Sequence, residues 1–287
     1  MSRVAYLGPA GTFSEDALRA AARGAPIEAL PRPNVYEAIR AVEQGEAELA
    51  LVPFENSIEG SVRATLDVLA HETGSVAIVG EHDHPISHAL IARRELRLDE
   101  VEVVLSHPQA SAQCSRFIRE SLPQAQVRAA ASTAEAVREV GSSRRPWAAL
   151  GAASAAPIYG CVVLREGVED VTDNVTRFVW IAPPGVVRPA GEGPWRTTLV
   201  FSELGEDHPG ALVEALTEFS RRSINLTRIE SRPLRRGLGR YLFFVDLKGA
   251  EDDATVGEAI GALRTKAESV RVLGSYPVTV DGIPGSG

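Results

Sequence analysis

The sequence predicts an α/β protein built in two parts, and three observations carry that prediction. Up to about residue 181, short runs of β-branched and aliphatic residues alternate with helical periodicities, joined by short polar connections. From Ala182 to Pro194 the composition changes to Pro183-Pro184-Gly185, Pro189, Gly191 and Gly193-Pro194, which is a linker signal. Beyond it the order strand, helix, strand, strand, helix, strand is the ferredoxin-like plan. The predicted division is 1–182, a linker at 183–195 and a small domain at 196–277.

A chain of 287 residues, 44 % hydrophobic and 24 % charged, has the composition of an ordinary globular protein with about two domains. Thirty basic against 38 acidic residues leave a net charge of −8, which argues against nucleic acid and anionic membrane as partners. An anionic ligand must then be met by local cations and backbone N–H groups. Cys114 and Cys161 alone suggest no disulfide framework and fit a reducing compartment. Met1 runs straight into a strand with no signal-peptide core, and no apolar run approaches the roughly 20 residues that span a bilayer. The expected location is the cytoplasm.

Residues 4–7 read as a strand and residues 8–12 as a glycine-containing loop. Thr12 with Glu15 forms a capping box that opens a helix; the loop reads either as a plain tight βα turn or as a set of N–H groups suited to a carboxylate or phosphate. Asn34 with Glu37 opens a second helix, closed by Gly45. A buried strand over 49–54 ends in Glu55-Asn56-Ser57-Ile58-Glu59-Gly60-Ser61, and open α/β sheets place ligand sites at such strand ends. The next helix turns Val62, Leu66 and Leu69 to one face.

Strands are expected at 76–80 and 87–92, with Glu81-His82-Asp83-His84-Pro85 as their connection. Pro85 interrupts any regular ligand spacing of His82, His84 and His88, so no metal site is expected there. A strand at 101–105 leads into Ser106-His107-Pro108-Gln109, where Pro108 suits a first helical turn and leaves Ser106 and His107 at its mouth. Cys114 reads as a small buried helix residue. A strand at 127–131 is followed by the capping box Ser132 and Glu135, with Thr133 just inside the helix. Strands at 148–151 and 162–164 bring the chain to Asp173-Asn174, a turn, and to a strand over 175–181. There a hydroxyl, a guanidinium and an aromatic ring arrive together at Thr176, Arg177 and Phe178. In the small domain, strands are expected at 197–202, 225–232, 241–247 and 270–276, and helices at 210–223 and 255–269.

Four blocks in this order resemble prephenate dehydratase: residues 8–14, Pro53-Phe54-Glu55-Asn56-Ser57-Ile58-Glu59-Gly60, Ser106-His107-Pro108-Gln109 through Gln113-Cys114, and Asn174-Val175-Thr176-Arg177-Phe178. The tail, with Gly210-Ala211-Leu212 and Glu230-Ser231-Arg232-Pro233, resembles the phenylalanine-binding ACT domain of that family. No helical segment precedes Val4, so a fused chorismate mutase is not expected. The resemblance implies two lobes like a type 2 periplasmic binding protein, the second over about 80–165, with the site in the cleft. It implies decarboxylating dehydration of prephenate to phenylpyruvate, feedback by phenylalanine, no cofactor and no metal.

Carried onto this sequence, the resemblance makes Thr176 the hydrogen-bond donor to the departing hydroxyl, Arg177 a bidentate partner of a substrate carboxylate and Phe178 the ring contact. Thr12, Asn56, Ser57, Gly60, Ser106, His107, Gln109, Thr133 and Asn174 are expected around the substrate, with Glu55 orienting an arginine or N–H groups. The effector site is expected at His208, Pro209, Gly210, Ala211 and Leu212, with Asn225, Leu226, Glu230, Ser231 and Arg232. It lies where two such domains meet in a homodimer or homotetramer. Arogenate dehydratase and a non-catalytic amino-acid sensor are the competing functions.

Overall fold

Thr12, Asn34 and Ser132 each accept a hydrogen bond from the backbone N–H three positions on, so three helices start where their capping boxes predict. The structure is a computed structural model that describes residues 1–186, 194–205, 209–278 and 284. The chain begins with β1 (Ser2–Leu7), α1 (Phe13–Ala22), β2 (Ile27–Arg32), α2 (Val35–Glu43), β3 (Leu49–Asn56), β4 (Gly60–Ser61), α3 (Arg63–His71) and β5 (Ala77–Pro85). It continues with β6 (Ala89–Ala92), β7 (Val103–Ser106), α4 (Pro108–Gln113), α5 (Ser115–Ser121), β8 (Gln126–Ala129), α6 (Thr133–Ser142), β9 (Trp147–Gly151), α7 (Ala155–Ile158) and β10 (Val162–Arg165). After β11 (Val175–Ala182) come β12 (Trp195–Ser202), α8 (Ala211–Ser220), β13 (Leu226–Pro233), β14 (Tyr241–Lys248), α9 (Ala254–Leu263) and β15 (Ser269–Pro277).

The first sheet has the order β2-β1-β3-β11-β5 and the second β8-β7-β9-β6-β10. Each sets three parallel strands beside an antiparallel fourth, so both lobes follow one plan. Two segments, 86–88 and 166–174, cross between them. This is the two-lobed, type 2 periplasmic-binding-protein-like architecture, followed by a ferredoxin-like ACT sheet of order β13-β14-β12-β15.

Strand alternation decides how the third sheet docks. Leu199, Phe201, Val245 and Leu247 pack under α8 and α9. Val200, Leu242, Phe244, Leu273 and Tyr276 face the other way, into one apolar cluster with Ile78, Val179 and Ile181 of the first sheet. At the contact, a Cβ on Gly274 would run into the carbonyl of Ile78, so β15 lies against β5 only because position 274 carries no side chain.

Four expectations need correction. Residues 81–85 are strand, not connection, because β11 pairs β5 along its whole length, and a paired backbone outweighs polar side chains. The second sheet therefore begins at Ala89 and not near residue 80. β2 is a strand that composition did not reveal: it is an edge, bonded to β1 alone, with Glu28 and Pro31 exposed. The last helix ends at Leu263 and does not reach residue 269. Among the described residues no helix is long and apolar enough to cross a membrane.

Candidate active site

Between the lobes lies a cavity of about 850 Å³ at the ends of β1, β3 and β11. The N-termini of α1, α4 and α6 open onto it through Thr12, His107 and Thr133. Arg32 is the one Arg or Lys among the described lining residues, and its guanidinium is held by Glu46 at 2.5 Å. Apart from Arg32, the helix N-termini are the elements here whose dipoles favour a negative charge.

Asn56, Asn174 and Thr176 form its polar wall, and the polarity of their hydrogen bonds follows from the backbone. The Asn56 carbonyl oxygen accepts from the N–H groups of Ile58 and Glu59, both at 3.0 Å. Its amide nitrogen must then face the other way, donating to the Thr176 hydroxyl oxygen at 2.9 Å and to Asn174 Oδ1 at 2.6 Å. Asn174 in turn donates to Gln113 Oε1 at 3.3 Å, and Gln113 Nε2 donates to Glu59 at 3.2 Å. His88 Nε2 lies 3.0 Å from the same Gln113 oxygen, so it carries the proton and donates. Burial holds the His88 pKa below the ordinary range, which keeps the ring neutral.

Apolar surface closes the rest. Phe178 is buried at the wall, with the His84 ring edge-on 6.4 Å away, and Phe13 meets His88 edge-on at 5.1 Å. The Tyr159 hydroxyl from the second lobe donates to the Ala10 carbonyl of the glycine loop at 2.6 Å.

The cavity gathers Thr12, Asn56, His107, Gln109, Thr133, Asn174, Thr176 and Phe178 from the expected residues. Ser106 is fully buried beneath it, its hydroxyl donating to the Leu150 carbonyl. Gly60 lies in β4 on the exposed side of the Asn56 turn. Ser57 donates to the Asp173 carbonyl and accepts from Val175 N–H, holding the loop to β11 from outside.

Arg177 is the main correction. Thr176 and Phe178 share one face of β11, and alternation turns Arg177 to the other, towards the ACT sheet. Its guanidinium contacts Asp246 at 2.7 Å, Glu55 at 2.8 Å and Glu81 at 3.3 Å. It does not line the cavity. Glu55, expected around the substrate, does not line the cavity either: it pairs with Arg177 on that far side. Burial pushes the Glu81 carboxyl up to about 8 despite Arg177, with Asp83, Asp246 and Glu55 adding repulsion.

Gln113 and His88 were not among the expected site residues. Gln113 was legible one helical turn after Gln109, whereas His88 depends on the crossing between lobes. Burial raises the Cys114 thiol to about 12, which leaves it inert. Among the described residues no group of three or more His, Cys, Asp or Glu is arranged to hold a metal.

Of the expected effector residues, His208 lies outside the described residues. Pro209 and Gly210 are exposed ahead of α8, and Ala211 and Leu212 form its first turn. Asn225 and Leu226 line a separate pocket of about 420 Å³ with Leu216, Phe219 and Ile224. Glu230 and Arg232 turn towards the first lobe, accepting from Ser61 at 3.3 Å and binding Asp67 at 2.7 Å, while Ser231 is exposed between them. Those two side chains are thereby committed to the junction, a correction to the expected effector set.

A family model described as prephenate dehydratase matches residues 4–185, and one described as ACT domain matches 198–265. A prephenate dehydratase of Amycolatopsis methanolica is 40% identical over 284 residues, covering 99% of this chain and 90% of that one. A structure of prephenate dehydratase in complex with L-Phe from Arthrobacter aurescens is 39% identical with TM-score 0.88, covering 98% and 91% of the two chains. A structure of a quorum quenching acylase is 32% identical with TM-score 0.85, covering 96% of this chain and 98% of that one.

Proposed function

The chain belongs to the prephenate dehydratase family, and on that premise we propose how its cleft performs the decarboxylating dehydration of prephenate to phenylpyruvate. The carbon–carboxylate bond breaks as CO2 leaves, its electron pair enters the ring, and the C4–oxygen bond breaks as the hydroxyl departs, taking up a proton that comes ultimately from solvent, as water. Aromatisation drives the step. The protein has to seat a dianion, help the hydroxyl leave and avoid over-stabilising the carboxylate that is lost.

The observation that carries this reading is the bond from the Asn56 amide to the Thr176 oxygen at 2.9 Å. It fills an acceptor position on that oxygen, so the Thr176 proton is free to point into the cavity, at the leaving hydroxyl. A threonine hydroxyl is a poor acid, so Thr176 assists by hydrogen bonding within a network. Helix N-termini meet the substrate's charge, and the seclusion of Arg177 spares the departing carboxylate a strong ion pair. Phe178 and Phe13 limit water at the ring.

We read residues 1–182 as the catalytic region, 183–195 as linker and 196–277 as the ACT domain, working in the cytoplasm. Phenylalanine acts as feedback inhibitor at the ACT domain. This is supported by the ACT match and by the L-Phe complex of the Arthrobacter aurescens relative. A homodimer or homotetramer, as the resemblance to the ACT domain implies, completes the effector site.

The acylase shows that this fold alone does not fix the reaction. Among the described residues no cavity hydroxyl is hydrogen-bonded to a histidine, as an acyl-transfer nucleophile would need. The deciding assay incubates the protein with prephenate, and in parallel with arogenate, and follows phenylpyruvate absorbance in alkali. Product from prephenate is expected. Absence of product from either substrate at micromolar enzyme would overturn the dehydratase reading and leave the sensor standing.

A further inference from the structure

Two successive rungs of the β3–β11 ladder carry different chemistry on opposite faces. Thr176 opposes Asn56, and Arg177 opposes Glu55. The first pair meets in the cleft at 2.9 Å, and the second meets at 2.8 Å on the ACT side. Immediately beyond, the register shifts between Arg177 and Phe178, leaving Phe54 as an extra residue in β3. Pairing next to a bulge is interrupted, so backbone hydrogen bonds alone hold the register weakly there.

Side chains supply what the ladder lacks, and they come from the ACT sheet. Arg177 Nη2 binds both Glu55 and Asp246, and Asp246 is fully buried. Thr198 donates to the other Asp246 oxygen at 2.8 Å and is itself 2.9 Å from the Tyr276 hydroxyl. The Arg177 and Arg228 guanidinium groups lie over the Phe54 ring at 5.0 and 4.9 Å, gripping the extra residue. Arg228 belongs to β13 of the ACT sheet.

We infer that Asp246 is a positioning residue for catalysis: acting through Arg177 and Glu55, it fixes the register in which Asn56 reaches Thr176. The inference rests on the reading of Asn56 and Thr176 as the catalytic pair. It assigns the ACT sheet a part in turnover itself, separate from any effector bound to it. The junction has other ion pairs, such as Arg232 with Asp67 at 2.7 Å, but Asp67 lies on α3 and does not line the cavity. It provides the control.

The test is steady-state kinetics on the full chain carrying Asp246→Asn, Asp67→Asn, Asn56→Ala, or Asn56→Ala with Asp246→Asn. Asp246→Asn is expected to lower kcat about tenfold or more while moving KM less than about threefold. Asp67→Asn should stay within about twofold of wild type in kcat. In the Asn56→Ala background the Asp246 change should cost no more than about twofold, because its route to Thr176 is already cut. Should Asp246→Asn fail to fold, Thr198→Val frees the carboxylate while keeping its charge and should give the same pattern at smaller amplitude. An undiminished kcat in Asp246→Asn, or an equal loss in the Asn56→Ala background, overturns the inference. Full kcat in Asn56→Ala instead overturns the reading beneath it.

Discussion

The hydroxyl of Tyr159 donates to the carbonyl of Ala10 across the cleft at 2.6 Å, joining the second lobe to the glycine loop of the first. Around this bond, Gly11 lies against Ala155, where a Cβ would come within 3.0 Å of the Ala155 side chain. The loop that presents the α1 N-terminus is thus held by the opposite lobe. Tyr159→Phe keeps the ring and removes the donor. It is expected to raise KM about threefold to tenfold, as one lost hydrogen bond of about 1 kcal/mol implies, with a smaller effect on kcat. Titration of initial rate against prephenate checks this, and a change confined to kcat would contradict it.

Thr176→Ala removes a contact that strengthens as the hydroxyl leaves, and it also deprives the Asn56 amide of one of its acceptors. A fall in kcat of about 100-fold to 1000-fold with little change in KM is expected. Thr176→Ser keeps the hydroxyl and should recover most of the loss. A deficit in KM alone would make Thr176 a ground-state contact.

Glu81 makes the ACT junction sensitive to pH. Its carboxyl, ordinarily near 4.5, is raised to about 8 by burial, with Arg177 pulling the other way and Asp83, Asp246 and Glu55 repelling. Arg196 also contacts it, at 3.2 Å. The folded state therefore keeps a proton that the unfolded chain has released. This contribution to stability is fully present below pH 4.5 and is lost as pH rises to about 8. Glu81→Gln retains the neutral shape without the titration. Its Tm should fall less than that of wild type between about pH 6 and pH 9, measured by calorimetry at fixed ionic strength. Parallel curves for the two proteins would rule out Glu81 as the source.

Gly210 has φ of +101° immediately before α8, a conformation that a β-branched residue adopts only with strain. Phenylalanine is expected to inhibit with a sigmoidal response. Gly210→Val should weaken that inhibition about tenfold or more by distorting the helix start. Rates unchanged by millimolar phenylalanine in wild type would remove the regulatory role while leaving the catalytic one standing.

What the sequence determined by itself is whatever depends on neighbours a few residues apart. The capping boxes at Thr12, Asn34 and Ser132 open their helices as read, because a side chain bonding an N–H three positions on needs no tertiary partner. The ferredoxin-like order of the last sheet was legible for the same reason, through helix and strand periodicities. So was the parity of β11, which sets Thr176 and Phe178 on one face and Arg177 on the other. Only the tertiary structure decided which of those faces meets the cleft, since alternation separates two sides of a strand without saying what covers either. β2 and the strand character of residues 81–85 likewise follow from pairing with β1 and with β11, which leaves no mark on nearby residues. On the resemblance, Arg177 pairs with a substrate carboxylate. Its carboxylates turned out to be Glu55, Glu81 and Asp246, the last 69 residues along the chain and in another sheet, and long-range pairing of that kind leaves no local trace.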